Sequence, residues 1–492
     1  MTENDSSNNP AKRVAKGPKL PFPVNPLLAA APAVILFLIL GWIYFTGTLQ
    51  LMLGLRELKE ENHEAKAIPY LNWAISSNPS LAEAYAQRAI AKLTIEQTKG
   101  MKADYSGAIS DIARAIKLAP KKNEYYATSL KIEEAAHHFR EAIAGYSHLI
   151  DLNDANHESY LNKRAGLYYV IGDYEKSRAD REQIIKINTA ELNDSNHDRK
   201  LTFEERAPQY VFLGEIEKAL SDYQECVKEE PNKDDLLRMG YLYENSGRPS
   251  HAIEAYSELI KLGNGDDDHQ VAEARSRRAH LYLQAGENEK ALADADHLSK
   301  NSKSALYHAL HIKILENMHR TAAAQAERKA VIDQLNFAVD DVYKEAPNEV
   351  LAVNYAKRAK FFAAEQQWKK ALRDYSIALT LAPDSSSCID CARMYTKLGA
   401  YDKAIELFTK ALSANALDYQ REEAYSGLAE VHLLQQKPAL AVEDCNKAIA
   451  QGTETGAGSY WRAKAYKQLG KTDLAKIDEQ QALGLGFVPE LD

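Results

Sequence analysis

Small and bulky apolar residues return along this chain at the spacing i, i+4, i+7, about every thirty-odd residues. Ala67-Leu71-Ala74, Ala108-Ile112-Ala115, Ala219-Tyr223-Cys226 and Ala371-Tyr375-Ala378 are the clearest copies. Each is followed by a proline: Pro79, Pro120, Pro231 and Pro383. Weaker copies centre on Ala142, Ser177, Ala252, Ala291, Ala322, Ala404, Ala441 and Ala475. The spacing places all three positions on one face of an α-helix, and proline then ends that helix. A second stripe precedes the first, as in Phe203, Ala207 and Tyr210 before Gly214, or Tyr355, Ala359 and Phe362. One helix pair cannot bury its own apolar face, so stacked copies must supply the core. The pattern predicts an all-α fold, an α-solenoid of about twelve helix hairpins wound into a superhelix.

Polar residues repeat in register with this pattern. An Arg on the first helix is followed sixteen residues later by an Asp on the second in Arg164/Asp180, Arg206/Asp222, Arg278/Asp294, Arg358/Asp374 and Arg462/Asp478. Arg88/Asp111 is the same pair with an insertion near 97–103. Antiparallel helices of one hairpin bring such positions together, so six ion-paired clamps are expected inside hairpins.

These residues resemble the tetratricopeptide repeat (TPR), whose aromatic-small-aromatic, Ala, aromatic, Pro pattern has a period of about 34. Residues 200–231 carry nearly the whole of it: Phe203, Ala207, Tyr210, Gly214-Glu215, Ala219, Tyr223 and Pro231. The resemblance runs from about Thr48 to Phe487 and implies a surface that binds another protein or peptide, with no fixed partner. The chaperone-tail-binding subclass uses Lys and Asn on three successive first helices. Here the helix with Asn162 and Lys163 is followed by one with Glu204 and Glu205, so that set is missing.

Ahead of the array, the stretch from Leu20 to Leu55 is uncharged, and Leu27 to Phe45 is almost wholly apolar. About 20 such residues span a bilayer as a helix. The run exceeds a signal-peptide core, so an uncleaved transmembrane helix is expected over 27–47, with Trp42, Tyr44 and Phe45 at the interface. Lys12, Arg13, Lys16 and Lys19 before it place the N-terminus in the cytoplasm by the positive-inside rule. The expected localisation is a single-pass membrane protein with its array extracytoplasmic, in the periplasm if bacterial. The chain then divides into a disordered tail (1–26), the transmembrane helix (27–47), a first part of the array (48–336), an irregular joint (337–351) and a second part (352–492).

The formal charge is −9. Subtracting the tail's +2 leaves −11 on the remainder, which argues against nucleic acid as a partner. Cys226 and Cys445 stand where apolar residues pack, so buried thiols are expected. Cys388 and Cys391 form a C-x-x-C on the inward side of a first helix; core packing is expected, with a disulfide the alternative in an extracytoplasmic compartment. His137-His138 falls at a hairpin turn and reads as solvated. No P-loop, G-x-G-x-x-G, G-x-S-x-G or H-E-x-x-H occurs, and no catalytic residues are assigned; the chain is not expected to be an enzyme.

One loop carries oxygen donors at alternating places: Asp194, Asn196 and Asp198, then the Lys200 carbonyl, and Glu205 as the closing bidentate ligand. It resembles an EF-hand calcium loop, which implies Ca²⁺ as a ligand although no cofactor is required. Arg199 departs from the family's glycine, Arg206 stands at a usually apolar place, and there is no second loop of comparable quality. The competing reading is a capping box formed by Thr202 and Glu205.

These features point to a membrane-anchored interaction scaffold that docks a partner protein or peptide on its inner face. Candidate docking residues are Asn162, Lys163, Arg277, His280, Lys357, Lys360 and Trp461. A calcium-responsive module hinged at 194–205 and an auxiliary subunit of an envelope enzyme complex are the alternatives.

Overall fold

The computed structural model describes residues 46–60, 62–99, 103–152, 156–193, 198–263, 268–301, 304–340, 347–413, 416–452 and 455–487. Among these there are 24 helices and no strand. They pair as hairpins: α1 (46–57) with α2 (Glu64–Ser77), α3 (Ala82–Gln97) with α4 (Ser106–Leu118), α5 (Asn123–Ala135) with α6 (Phe139–Asp151), and α7 (His157–Val170) with α8 (Tyr174–Glu191). Then follow α9 (Arg199–Phe212) with α10 (Ile216–Glu229), α11 (Lys233–Asn245) with α12 (Pro249–Leu262), α13 (His269–Gln284) with α14 (Asn288–Asn301), and α15 (Ala305–Asn317) with α16 (Thr321–Asp340). The last four are α17 (Asn348–Ala364) with α18 (Trp368–Leu381), α19 (Ser385–Lys397) with α20 (Tyr401–Ser413), α21 (Asp418–Leu434) with α22 (Pro438–Ile449), and α23 (Ala457–Gln468) with α24 (Thr472–Gly484).

Local sequence explains where these helices stop. α2, α4, α10 and α18 each end two residues before a proline, where the preceding residue is pushed out of helical geometry. Within hairpins the turn needs a left-handed residue, supplied by Gly214 (φ 77°) after α9. Non-glycine residues meet the same demand elsewhere, among them His137 (φ 56°) and Gln366 (φ 55°).

The small-bulky-small stripe is the core. Ala67, Leu71 and Ala74 are all fully buried, as are Ala108, Ile112 and Ala115, and Tyr223 and Tyr375 lie buried between the small residues of their own copies. Small residues also sit where a bulky one must enter from the facing helix. At Gly240 on α11, an added Cβ would run into the ring of Tyr256 on α12, which is fully buried. One copy is out of the expected register. Ala322 is exposed, and the buried stripe of α16 is instead Ala324 and Val331, with Arg328 in the bulky place between them.

All six expected clamps are present. In each, Arg Nε and Nη2 donate to the two carboxylate oxygens of the Asp at 2.5–2.9 Å. They do more than hold one hairpin shut. Arg Nη1 reaches back to a neutral oxygen on the second helix of the preceding hairpin: Asn72, Ser147, Thr189, Ser257, Asn336 or Asn446, at 2.6–3.0 Å. One guanidinium thus ties three helices, using the fixed fork of donors that only Arg offers.

The described chain forms two compact units. The first comprises residues up to Ile95 together with Ser110–Lys122, and so holds α1, α2 and most of α3 and α4. Within it Gly54 lies against Leu71, and Arg88 and Lys92 both bind Asp111. The second comprises Glu96–Ile109 and the chain from Asn123 onward.

In the second unit each helix packs on its chain neighbours, and α24 in addition packs on α9 and α11. Leu483 joins the core formed by α9 to α13, Gly484 lies against Val211 and Phe212, and Gly214 meets the side chain of Gln480. The Tyr169 hydroxyl on α7 donates to Asp478 Oδ1 on α24 at 2.5 Å and lies 2.9 Å from Ser459 Oγ on α23. The last hairpin therefore returns to the early helices, and the superhelical turn of this unit closes on itself.

The expected localisation is corrected. Among the described residues no helix is long and apolar enough to cross a membrane. The expected span 27–47 lies outside the described residues except for Thr46 and Gly47, which open α1; the tail 1–26 also lies outside them, as do 341–346 of the expected joint.

Candidate functional site

Closure of the second unit forms a half-open cavity of 1360 Å³. Its walls come from the first helices α5, α7, α9, α11, α21 and α23, from parts of α8, α22 and α24, and from residues near Tyr105. The lining is mixed, with Glu134, Glu158, Glu204, Glu205, Asp418 and Glu422 and also Lys163, Arg181, Arg238, Arg421 and Lys447 among apolar residues. Pro208, also in the wall, lies inside α9 and cannot donate to the Glu204 carbonyl, which loses its helical partner there.

Arg181 is the most unusual group in the wall. It is only 5% exposed and occupies the bulky place of its own copy, between buried Ser177 and Ile184, where other copies put Leu71, Ile112 or Tyr223. Its guanidinium lies 3.5 Å from the Phe212 ring centroid, and Nη1 donates to Gln209 Oε1 at 2.8 Å. Gln209 Nε2 in turn donates to Asn162 Oδ1 at 3.3 Å. Burial pulls the Arg181 pKa down to about 10, still cationic at neutral pH.

The acidic groups are perturbed in the opposite sense. Burial raises Glu158 to about 7, helped by Glu205 and Glu191 and opposed by the bond that Asn188 Nδ2 donates to it at 2.9 Å. Glu205 is raised by burial and by Glu191 and Glu204. Glu422, 4% exposed, is raised by burial against the hydroxyl bond from Thr455. Opposite, Arg421 donates through Nε to Gln451 and through Nη1 to the Ala416 carbonyl, at 2.9 and 2.6 Å.

Of the expected docking residues, Asn162 and Lys163 line the cavity. The others lie off it. Arg277 stacks 4.6 Å over Tyr241 and bonds Glu273, and His280 Nδ1 lies 2.9 Å from the Ser276 carbonyl. Lys357 and Lys360 are exposed, and Trp461 packs against the small core of α21 to α23. Sequence reasoning missed Arg181, Gln209, Phe212, Arg421 and Glu422. A signal for Arg181 was present: a charge in a repeated core position.

In the candidate calcium loop, Asp194 and Asn196 lie outside the described residues. Asp198 is the N-cap of α9, its Oδ1 accepting from the Lys200 and Leu201 amides at 3.0 and 3.2 Å. The helix has therefore already begun at Arg199, which carries Glu205 about 10 Å along its axis from Asp198. The Lys200 carbonyl lies 3.7 Å from Cys226 Sγ. The Thr202–Glu205 capping box is also replaced, since Asp198 makes the cap and Thr202 Oγ1 bonds the Asp198 carbonyl. Among the described residues no group of three or more His, Cys, Asp and Glu is placed to hold a metal ion.

All four cysteines are buried free thiols, so Cys388 and Cys391 pack in the core. His137 takes the left-handed turn geometry and His138 Nδ1 lies 2.9 Å from Glu133. His137 also lines the cavity, so it does more than face solvent.

Tetratricopeptide-repeat models match residues 236–262 and 387–423, which cover α11–α12 and α19–α20. The chain is also similar to the photosystem I assembly protein Ycf3 of Synechococcus sp. (strain WH7803), with 31% identity over 133 residues, 24% of this chain and 74% of that protein. The chain belongs to the tetratricopeptide-repeat family. This TPR protein is further similar to the DnaJ homolog subfamily C member 7 homolog of Schizosaccharomyces pombe, 25% identical over 304 residues, covering 50% of this chain and 62% of that one. It is 33% identical over 95 residues to Hsc70-interacting protein 1 of Drosophila melanogaster, covering 19% of this chain and 24% of that one. The chain thus spans less than two thirds of several of these relatives. Among solved structures, yeast Tom70 aligns with 88% of this chain and 96% of its own at 14% identity and a TM-score of 0.34.

Proposed function

We propose that the protein is an interaction scaffold whose second unit docks an extended segment of a partner protein in this half-open cavity. The observation that carries this reading is the cavity itself. At 1360 Å³ it exceeds the roughly 300–1,000 Å³ of small-molecule pockets, and it is walled by first helices bearing charged and amide side chains. Such a wall suits the alternating backbone and side-chain polarity of a peptide. Relatives named for Hsc70 interaction and for photosystem assembly support a role in protein–protein association; those named partners are theirs.

The test is site-specific photo-cross-linking. A benzoylphenylalanine at Lys163, in the cavity wall, should capture one short segment that mass spectrometry maps to a single sequence. The same group at Lys329, exposed and off the cavity, should not. Equal capture at both positions would overturn the reading.

A further inference from the structure

Resting on that docking reading, the geometry points to a seat for a partner carboxylate at Arg181, formed by the in-plane Nε and Nη2 edge of its guanidinium at the cavity wall. The protein's own clamps define what that edge binds. In all six, Nη1 contacts a neutral oxygen while Nε and Nη2 grip the two oxygens of a carboxylate. Arg181 repeats half of this arrangement: Nη1 donates to the neutral Gln209 Oε1, and among the described residues Nε and Nη2 have no hydrogen-bond acceptor. The guanidinium lies against the Phe212 ring, which covers its face and leaves Nε and Nη2 as the donors without a partner.

Arg328 is the internal comparison. It stands in the same bulky place of its copy, between Ala324 and Val331, and there the chain supplies the anions: Nε donates to Glu365 and Nη2 to Glu316. Among the described residues no acid of the chain makes that contact with Arg181. Asp180 is gripped by Arg164, and Glu158 accepts from Asn188. Buried guanidinium donors without an acceptor are unfavourable, and an acidic side chain entering the cavity supplies one. A planar carboxylate matches the two-donor edge, whereas a dianionic phosphate would meet the surrounding glutamates.

The test uses the full chain and two probes. A fluorescein-labelled 12-residue peptide of alternating Gly and Glu should bind at least tenfold more tightly than its Gly-Gln counterpart. Arg181→Met, which puts an apolar residue in a slot that is apolar in other copies, should erase that preference. Arg181→Lys keeps the charge without the two-donor edge and should lose severalfold. Sodium glutarate, against sodium chloride of equal ionic strength, should raise the melting temperature of the unaltered protein and not of Arg181→Met; circular dichroism checks that each variant folds. A preference for Glu that survives Arg181→Met overturns the seat, as does tighter binding of a phosphoserine peptide. If both peptides bind equally and glutarate has no effect, the seat fails and docking stands. If neither binds yet glutarate stabilises only when Arg181 is present, the seat stands and peptide docking fails.

Discussion

The Tyr169 hydroxyl on α7 lies 2.5 Å from Asp478 Oδ1 on α24, across almost the whole sequence of the second unit. Asp478 is fully buried and is gripped at the same time by Arg462, itself 1% exposed. The clamp that elsewhere ties neighbouring hairpins is here extended by one tyrosine to tie the end of the turn to its beginning. Without that closure the first helices would face an open groove.

Tyr169→Phe removes this hydroxyl and its bonds to Asp478 and Ser459, while Arg462 still compensates the carboxylate. The expected cost is about 1–2 kcal/mol in chemical denaturation. Amide hydrogen exchange should quicken in α23 and α24 more than in α13 to α16; a uniform change across all helices would contradict the latch.

The six clamps should not be equivalent. Arg462→Ala strands a fully buried Asp478 and should cost roughly 3–5 kcal/mol. Arg206→Ala leaves a nearly buried Asp222 and should cost about 1–3 kcal/mol, with clear coupling in a double-mutant cycle with Asp222→Ala. Arg88→Ala should cost least, because Lys92 Nζ still lies 2.7 Å from Asp111. Equal losses at all three sites would show that burial of the aspartate does not set the cost.

How far the sequence carried can be judged from particular residues. The i, i+4, i+7 stripe and the Arg/Asp spacing are local facts within one hairpin, so both could be read directly. Ala322 misled because Arg328 sits in the bulky place of that copy and breaks the apolar signature. The cavity was only partly visible: Asn162 and Lys163 lie on a first helix and were read by helical phase. Arg277, His280, Lys357, Lys360 and Trp461 share that phase but lie off the cavity. Closure pairs α7 and α9 with α23 and α24, a long-range register with no counterpart in the repeat pattern.

Glu158 makes stability depend on pH. Its folded-state pKa, about 7, lies above the ordinary 4.5, so the native state holds the proton more tightly than the unfolded chain. Stability is therefore lost as pH rises from about 4.5 to about 7, and the penalty is complete above that range. Glu158→Gln keeps the acceptor for Asn188 and should stabilise by on the order of 1 kcal/mol at pH 8, allowing for screening by water in the cavity, with almost no gain at pH 5. Urea denaturation at the two pH values checks this; an equal gain at both would rule out the titration.

The cysteines should be inert while the fold is intact. Burial pushes Cys226 and Cys391 up to about 12 and raises Cys388 and Cys445 as well. At pH 8 a thiol reagent should react with the native protein far more slowly than in denaturant, where four thiols per chain should titrate without prior reduction. Fewer than four would indicate a disulfide and contradict the packing described for Cys388 and Cys391.

The closed turn is tested most directly by a cross-link between its two ends. A Cβ added at Gly484 would lie 3.4 Å from Val211 Cγ1, a separation compatible with a disulfide between the two positions. In a chain carrying Val211→Cys and Gly484→Cys, mild oxidation of the folded protein should join α9 to α24 nearly quantitatively, seen as a faster band on a non-reducing gel and as the 211–484 peptide by mass spectrometry. Thiols at both positions that stay free in a folded protein, or that join only after unfolding, would contradict the closure and with it the cavity.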